Sequence, residues 1–294
     1  MKVITIEGAT ASGKSDLAFR LAKYLDTEII SADSRQVYKY LDIGTAKPDQ
    51  QTLSEVRHHI VSIITPDMRY SAGAFLKDAT AIIHNLHILG KIPIICGGTM
   101  LYIQSLLYGL SEIPDIPMDA VSRADEYMKD HTLAQCFDHV MSFDPKFASK
   151  ISKTDKQRIS RALEVWYAFG KPLTDFWAEN TLSSDIKPYK IFVNPDREEL
   201  YRRINTRMLQ MIKNGLLEEI QFILKMGYTK NDYGLNTVGY KEFLDFDSDT
   251  AIEKAAQHTR NYAKRQLTWY KKCEFDLVIN DVDKFNIKSL DIKN

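Results

Sequence analysis

Three cysteines in 294 residues, Cys96, Cys136 and Cys273, are too few and too far apart for a disulfide framework. No Cys-x-x-Cys spacing exists, which excludes a zinc ribbon and leaves the thiols as reduced core residues. No apolar run approaches the roughly 20 residues that a membrane-spanning helix needs. The first strand-like run begins at Lys2, which leaves no room for a signal peptide, so no membrane association and a cytoplasmic location are expected. Neither charge is in excess: Lys and Arg number 39, and so do Asp and Glu, so a nucleic-acid partner must be met by a local patch. Internal repeats and low-complexity tracts are missing too. With 44% apolar and 27% charged residues, what remains is a folded chain long enough for one large domain and an appendage.

What is present first is a phosphate signature. Residues 8 to 15 read GATASGKS, directly after the strand-like KVITIEG, and fit G-x-x-x-x-G-K-[ST]. The pattern covers Gly8, Ala9, Thr10, Ala11, Ser12, Gly13, Lys14 and Ser15. Its glycines let backbone N–H groups turn inward on an anion, and the following SDLAFRLAKYL brings the positive end of a helix to the same place. Lys14 would reach the outer phosphate and the Ser15 hydroxyl would hold Mg²⁺. A plain glycine turn is the alternative. The cradle specifies a diphosphate or triphosphate and no particular reaction.

Strand-like runs recur at 3–6, 28–32, 92–96, 190–194 and 275–280, most of them separated by helical periodicity. This predicts an α/β fold with a largely parallel sheet flanked by helices. The alternation stops over 112–188, entered through SEIPDIP and left through SSDIKP, where only helical patterns occur. The expected organisation is therefore a core of 1–111 and 189–294 with a helical insertion at 112–188.

Further constellations fall at the ends of strands or on helices. The second strand runs into SADSRQVYK, which puts Asp33 at its carboxyl end followed by Ser34, Arg35 and Gln36. Asp33 reads as a functional carboxylate, as a metal-holding aspartate, or as a turn or N-cap residue; the Gln36 amide suits the edge of adenine. The third strand ends in CGGTMLY, where Gly97 and Gly98 would admit a ligand close to the backbone and Thr99 offers a hydroxyl, or where the chain simply turns. His58 and His59 are adjacent in a strand-like stretch, so they point to opposite faces and serve packing or hydrogen bonding in preference to one metal site.

On the helix from 197, Leu200, Ile204, Met208, Met211 and Ile212 form an apolar stripe with Arg203 and Arg207 off it. Residues 254 to 273 hold no acid; Arg260, Lys264 and Lys271 share one face and Tyr262, Gln266 and Trp269 another, suited to a phosphate chain and to stacked bases. Solvated charge and buried aromatics are the plainer alternatives. In TDKQRISRALEVW a helix capped by Thr154 or Asp155 sets Arg158 and Arg161 on one side and Ile159, Leu163 and Trp166 on the other.

Taken together, GATASGKS, DSRQVYK, DIGTAKP, GGTMLY, DKQRISRALEV, GYKE and TRNYAKRQLTW resemble the tRNA dimethylallyltransferases, in order from residue 8 to residue 269. The resemblance is to the bacterial type, without the zinc-finger tail of some eukaryotic relatives. It implies a P-loop NTPase-like core and the transfer of a dimethylallyl group from dimethylallyl diphosphate to N6 of the adenosine 3′ of the anticodon. It also implies Mg²⁺ as cofactor, the tRNA anticodon stem-loop as partner, and a monomer. By that resemblance Gly8 to Ser15 hold the diphosphate, and Asp33 is the general base. Thr99 stands at the reaction centre, and Arg123 reaches toward the diphosphate from the insertion. Asp33, Ser34, Arg35 and Gln36 match one tRNA-contacting segment, and Gln157, Arg158, Ile159, Ser160 and Arg161 the other. The chain departs from the family at Ala9 (usually Pro), Met100 (usually Gly) and Ser62 (often an acid). The rival readings are a nucleotide or nucleoside kinase, a nucleotide-gated RNA-binding protein, and prenyl transfer to free AMP.

Overall fold

The computed structural model describes residues 1–111, 113–179 and 185–290. Glu112, where the insertion is expected to begin, and Ser183 and Ser184 of its expected exit lie outside the described residues.

Strands β1 (Lys2–Gly8), β2 (Ile29–Ser31), β3 (His58–His59), β4 (Ile94–Gly97), β5 (Lys187–Val193) and β6 (Leu277–Ile279) form one sheet in the order β3-β2-β4-β1-β5-β6. Every pairing is parallel. A parallel sheet is covered on both faces, so its strands read as continuous apolar runs. Val3, Ile30 and Ile95 face one cluster with Phe75, Ala79 and Ile83; their neighbours Ile4, Ile29 and Ile94 face the other, with Leu17, Ala18 and Leu21. The helices before the insertion are α1 (Lys14–Leu25), α2 (Gln50–Glu55), α3 (Ala72–Ile88) and α4 (Met100–Tyr108), of which α1, α3 and α4 bury residues against the sheet while α2 buries none.

The chain divides into two compact units, residues 1–107 with 185–294, and residues 108–184. The expected exit of the insertion at 188 is corrected: Lys187 and Pro188 are already ladder residues of β5, registered with Lys2 and Val3. Lys187 and Pro188 carry no apolar strand signature, and only the last three residues of β5 are buried.

The smaller unit is helical: α5 (Met118–Asp130), α6 (Leu133–Phe143), α7 (Pro145–Ala148), α8 (Lys156–Phe169) and α9 (Leu173–Glu179). Its own core gathers Ala124, Phe137, Val140, Phe147, Ile159 and Leu163. The buried Asp144 carboxylate is satisfied there by the Phe147 and Thr174 N–H groups and the Thr174 hydroxyl. The larger unit resumes with α10 (Arg197–Lys213), α11 (Leu216–Lys225), α12 (Lys241–Asp245) and α13 (Ser248–Tyr270). The stripe expected on α10 is the buried one, with Leu200, Ile204, Met208 and Met211 inside.

Candidate active site at the carboxyl edge of the sheet

Strands β2, β4 and β1 are neighbours in that order, so parallel pairing delivers three loops side by side at one edge: Asp33–Gln36, Gly97–Thr99 and Gly8–Ser15. In the last of these, a Cβ on Gly8 would stand 2.7 Å from both Ser12 Oγ and Val193 O, so only glycine fits. Ala11 at φ 64° and Gly13 at φ 97° take the left-handed region, and such turns collect N–H groups into an anion-binding concavity. For Ala11 that conformation costs on the order of 1 kcal/mol. Gly13 caps α1 with no side chain, which leaves the first-turn amides open to an anion. Ser12 Oγ is buried in this loop with no hydrogen-bond partner.

Lys14 lies half-buried with Nζ donating to the Ala9 carbonyl at 3.2 Å. Burial lowers its pKa below the ordinary lysine range; Cys96 and Asp33 oppose that shift and Arg207 adds to it. The sequence placed Arg203 and Arg207 off the apolar stripe without a role, and the fold brings both to the cradle. Arg203 Nη1 donates to Ser12 O at 3.4 Å while Nε holds Glu199 at 2.6 Å. Arg207 donates to Thr10 Oγ1 at 2.5 Å; burial depresses its pKa and the Asp33 charge opposes the change. Their one-turn spacing was the signal available, and only the packing of α10 gives it a target.

Of the three readings of Asp33, the hydrogen bonds present display the turn-closing one. Asp33 Oδ1 accepts from Arg35 N at 2.8 Å and Gln36 N at 3.4 Å, and its charge is felt at Lys14 and Arg207. Thr99 is tied to the neighbouring Ser34: Oγ1 accepts from Ser34 N at 2.9 Å and donates to Ser34 Oγ at 3.2 Å. Gly97 and Gly98 admit protein instead of ligand. A Cβ on Gly97 would meet Ala32 O at 2.1 Å, and one on Gly98 would meet Gln266 Nε2 at 2.4 Å.

Gln36 also departs from expectation, because its amide is engaged within the chain at both ends. Oε1 accepts from Ser31 Oγ at 3.0 Å, and Nε2 donates to Ala46 O at 3.1 Å and Thr45 O at 3.4 Å. The planar edge wanted for adenine is holding the DIGTAKP loop. That loop is itself a knot: Glu219 accepts from the Asp42, Ile43 and Gly44 amides, and a Cβ on Gly44 would run into the Tyr240 ring at 2.4 Å. Lys47 of the same loop reaches the Tyr38 carbonyl, Asp42 and Ser62, so Ser62 acts here through its hydroxyl. Arg35 donates to Tyr233 O at 3.2 Å.

On α13, the face expected to stack on bases turns inward. Tyr262 and Gln266 both donate to the Gly98 carbonyl, and Gln266 is 1% exposed. Arg260 holds Asn205 at 2.6 Å, and Lys264 is exposed. His58 and His59 behave as hydrogen-bonding residues, paired with Val56 O and the Glu28 carboxylate. Among the described residues no group of three or more His, Cys, Asp or Glu could hold a metal.

Within the insertion, Asp155 caps α8 by accepting from Arg158 N. Gln157 and Arg158 are exposed, and Arg158 Nε lies 3.5 Å from Asp155. Ser160 and Arg161 both bond Glu164, the latter at 3.1 Å. Ile159 is corrected: it is 0% exposed in the helical core and cannot meet RNA from there. Arg123, on α5, lays its guanidinium over the Tyr167 ring at 4.7 Å.

The IPP transferase family pattern matches residues 36–273, and the isopentenyl transferase pattern matches residues 1–65. The chain is 40% identical over 293 residues to tRNA dimethylallyltransferase 2 of Geotalea uraniireducens, covering 96% of this chain and 92% of that one. It is 38% identical over 279 residues to the tRNA dimethylallyltransferase of Geobacter sulfurreducens, at 92% and 89% coverage. Among solved structures, the tRNA isopentenylpyrophosphate transferase of Staphylococcus epidermidis superposes with a TM-score of 0.67 at 35% identity, over 98% of this chain and 95% of that one. A eukaryotic dimethylallyltransferase acting on tRNA superposes at 0.78 with 28% identity, over 96% and 75%. With a phosphate cradle, an aspartate and a threonine on three adjacent strand ends, and with these relatives along nearly its whole length, the chain belongs to the tRNA dimethylallyltransferase family of prenyl-transferring enzymes.

Proposed function

We propose that this protein transfers a dimethylallyl group from dimethylallyl diphosphate to N6 of the adenosine 3′-adjacent to the anticodon in tRNA, releasing diphosphate. The observation that carries this reading is the parallel strand order β2-β4-β1, which brings the Asp33 loop to the same sheet edge as Gly8–Ser15 and its cations Lys14 and Arg207. Diphosphate sits on the amides of Gly8 to Ser15 and takes its charge compensation from Lys14. Arg203 and Arg207, already at the loop, lie within reach of the same charge. Each is fixed before substrate arrives, so charge developing on the leaving group is stabilised without rearrangement of the site.

The adenine amine is a weak nucleophile because its lone pair is delocalised into the ring. Asp33 removes its proton as the carbon–nitrogen bond forms, a contribution of about two to four orders of magnitude. The proton passes to the Asp33 carboxylate and the electron pair of the broken carbon–oxygen bond leaves with diphosphate. Thr99 holds Ser34, and through it the backbone that carries Asp33. Since the acceptor base must reach these loops, it leaves its stack.

Magnesium fits the residues present. Ser15 is exposed at the first turn of α1, where its hydroxyl is open to an ion that keeps waters and takes phosphate oxygens. Held by Ser15, it would neutralise diphosphate charge. The insertion grips the anticodon stem-loop through Gln157, Arg158, Ser160 and Arg161, and the protein acts as a cytoplasmic monomer.

The test is incubation with Mg²⁺, labelled dimethylallyl diphosphate and unmodified tRNA, followed by nucleoside mass spectrometry, with ATP in parallel. Prenylated adenosine and stoichiometric diphosphate are expected. Phosphoryl transfer from ATP without prenylated product would overturn the proposal in favour of a kinase.

A further inference from the structure

Gln266 lies in none of the loops that meet substrate under the reading above, yet it is the one described side chain that joins two of them by hydrogen bonds from both ends of its amide. Its Oε1 accepts from Thr10 N at 2.8 Å, and its Nε2 donates to Gly98 O at 2.8 Å. The three residues come from the loop after β1, the loop after β4 and α13, separated by 256 and 168 positions in sequence. The amide is 1% exposed, so neither bond competes with water. Both neighbours are built around it. Gly98 cannot carry a side chain, since a Cβ would stand 2.4 Å from Nε2, and Thr10 is held a second time by Arg207 through its hydroxyl. Tyr262, one turn earlier on α13, donates to the same Gly98 carbonyl at 3.3 Å.

We infer that Gln266 is a positioning residue that locks the phosphate loop to the Gly98–Thr99 loop and so sets the spacing between diphosphate and the Asp33 carboxylate. The physical chain is continuous: Thr10 to Gln266, Gln266 to Gly98, Thr99 to Ser34, and Ser34 to Asp33 by the covalent backbone. An amide suits the task because one planar group must accept at one atom and donate at the other. A carboxylate of equal size can accept from Thr10 but cannot donate to Gly98 unless it is protonated. The inference rests on the prenyl-transfer reading for its kinetic consequences and on the structure alone for the lock.

Two variants test it. In Gln266→Ala the single-turnover prenylation rate falls at least about tenfold, while affinities for Mg²⁺-pyrophosphate and for tRNA each change less than about threefold, because spacing and not binding is lost. In Gln266→Glu the ratio of variant to wild-type rate rises as pH is lowered from about 8 to 6, since protonation restores the donor. A third readout needs no turnover: amide exchange in Gly8–Ser15 and in Gly98–Thr99 quickens together, about tenfold or more, in Gln266→Ala. Failure of the wild-type protein to prenylate tRNA would remove the functional reading and leave the exchange experiment to decide the lock. Exchange that is unchanged, or that quickens in one loop alone, overturns the inference. So does a rate loss fully accounted for by weaker diphosphate binding, or a Gln266→Glu ratio flat across pH.

Discussion

The loops at the carboxyl edge of the sheet and the first turns of α8 are built from the same side chains, arginine and glutamine beside a helix or strand end, and hold them in opposite states. In the core, Arg203, Arg207, Gln36 and Gln266 each have partners on a different element and are at least partly buried. On α8, Gln157 and Arg158 are exposed, and the partners of Arg158 and Arg161 lie three residues away on their own helix or its cap. A site that stabilises charge as it develops needs its dipoles fixed in advance. A surface that follows a phosphate backbone needs charges that can move to meet it. Substitutions in the first region should therefore change rates, and substitutions in the second should change affinity and its salt dependence.

The largest effect belongs to Asp33→Asn. The amide keeps an acceptor for the Arg35 and Gln36 N–H groups and loses only the proton acceptor. Single-turnover prenylation should fall by at least about a hundredfold with tRNA affinity nearly unchanged. A loss confined to tRNA binding would erase the distinction between the two regions.

Ile159→Ala comes next and bears on the other side of the comparison. Its side chain is packed among Ala124, Phe137 and Leu163, so unfolding of the helical insertion should be easier by about 2–4 kcal/mol in denaturant titration. If stability holds and tRNA affinity drops instead, Ile159 faces RNA. Lys14→Ala should weaken Mg²⁺-pyrophosphate binding about tenfold or more by calorimetry, since it removes a partly desolvated cation from the cradle. Unchanged binding would reduce GATASGKS to a turn.

Smaller effects separate the two arginines of α8. Arg158→Gln should make the slope of log affinity against log salt shallower by up to about one unit, and Arg161→Gln by less, because Arg161 is already paired with the buried Glu164. Equal slopes for wild type and both variants would return this face to plain solvation. The smallest effect concerns Cys96, whose thiol lies beneath Lys14 and is pushed by burial from 9.0 to about 11. The unfolded chain ionises first, so the stability tied to this thiol is present below pH 9 and lost toward pH 11. Cys96→Ala should flatten the fall of the urea midpoint over that window. A steeper fall would contradict the burial of the thiol.

Much of the fold could be read from residue pattern because parallel strands and their covering helices impose periods that the chain must obey. The strands at 3–6 and 28–32, the phosphate loop and the apolar stripe of α10 are all local statements, made by neighbours within one element. A charged residue followed by proline blurs that pattern, which is why Lys187 and Pro188 concealed the beginning of β5. The resemblance to a family, likewise, rests on short ordered motifs that need no structure to be seen.

What only the tertiary structure decided is the partner of each polar group. Gln36 looked like a reader of adenine and is a brace for the DIGTAKP loop; Gly98 looked like room for a ligand and is room for Gln266. Arg203 and Arg207 had no assigned target in the sequence and lie on the phosphate loop. A side chain's type states which bonds it can make, and that is written in the sequence. Which of those bonds it makes depends on what the packing of distant elements brings within about 3 Å, and for Gln266 those elements lie 168 and 256 residues away.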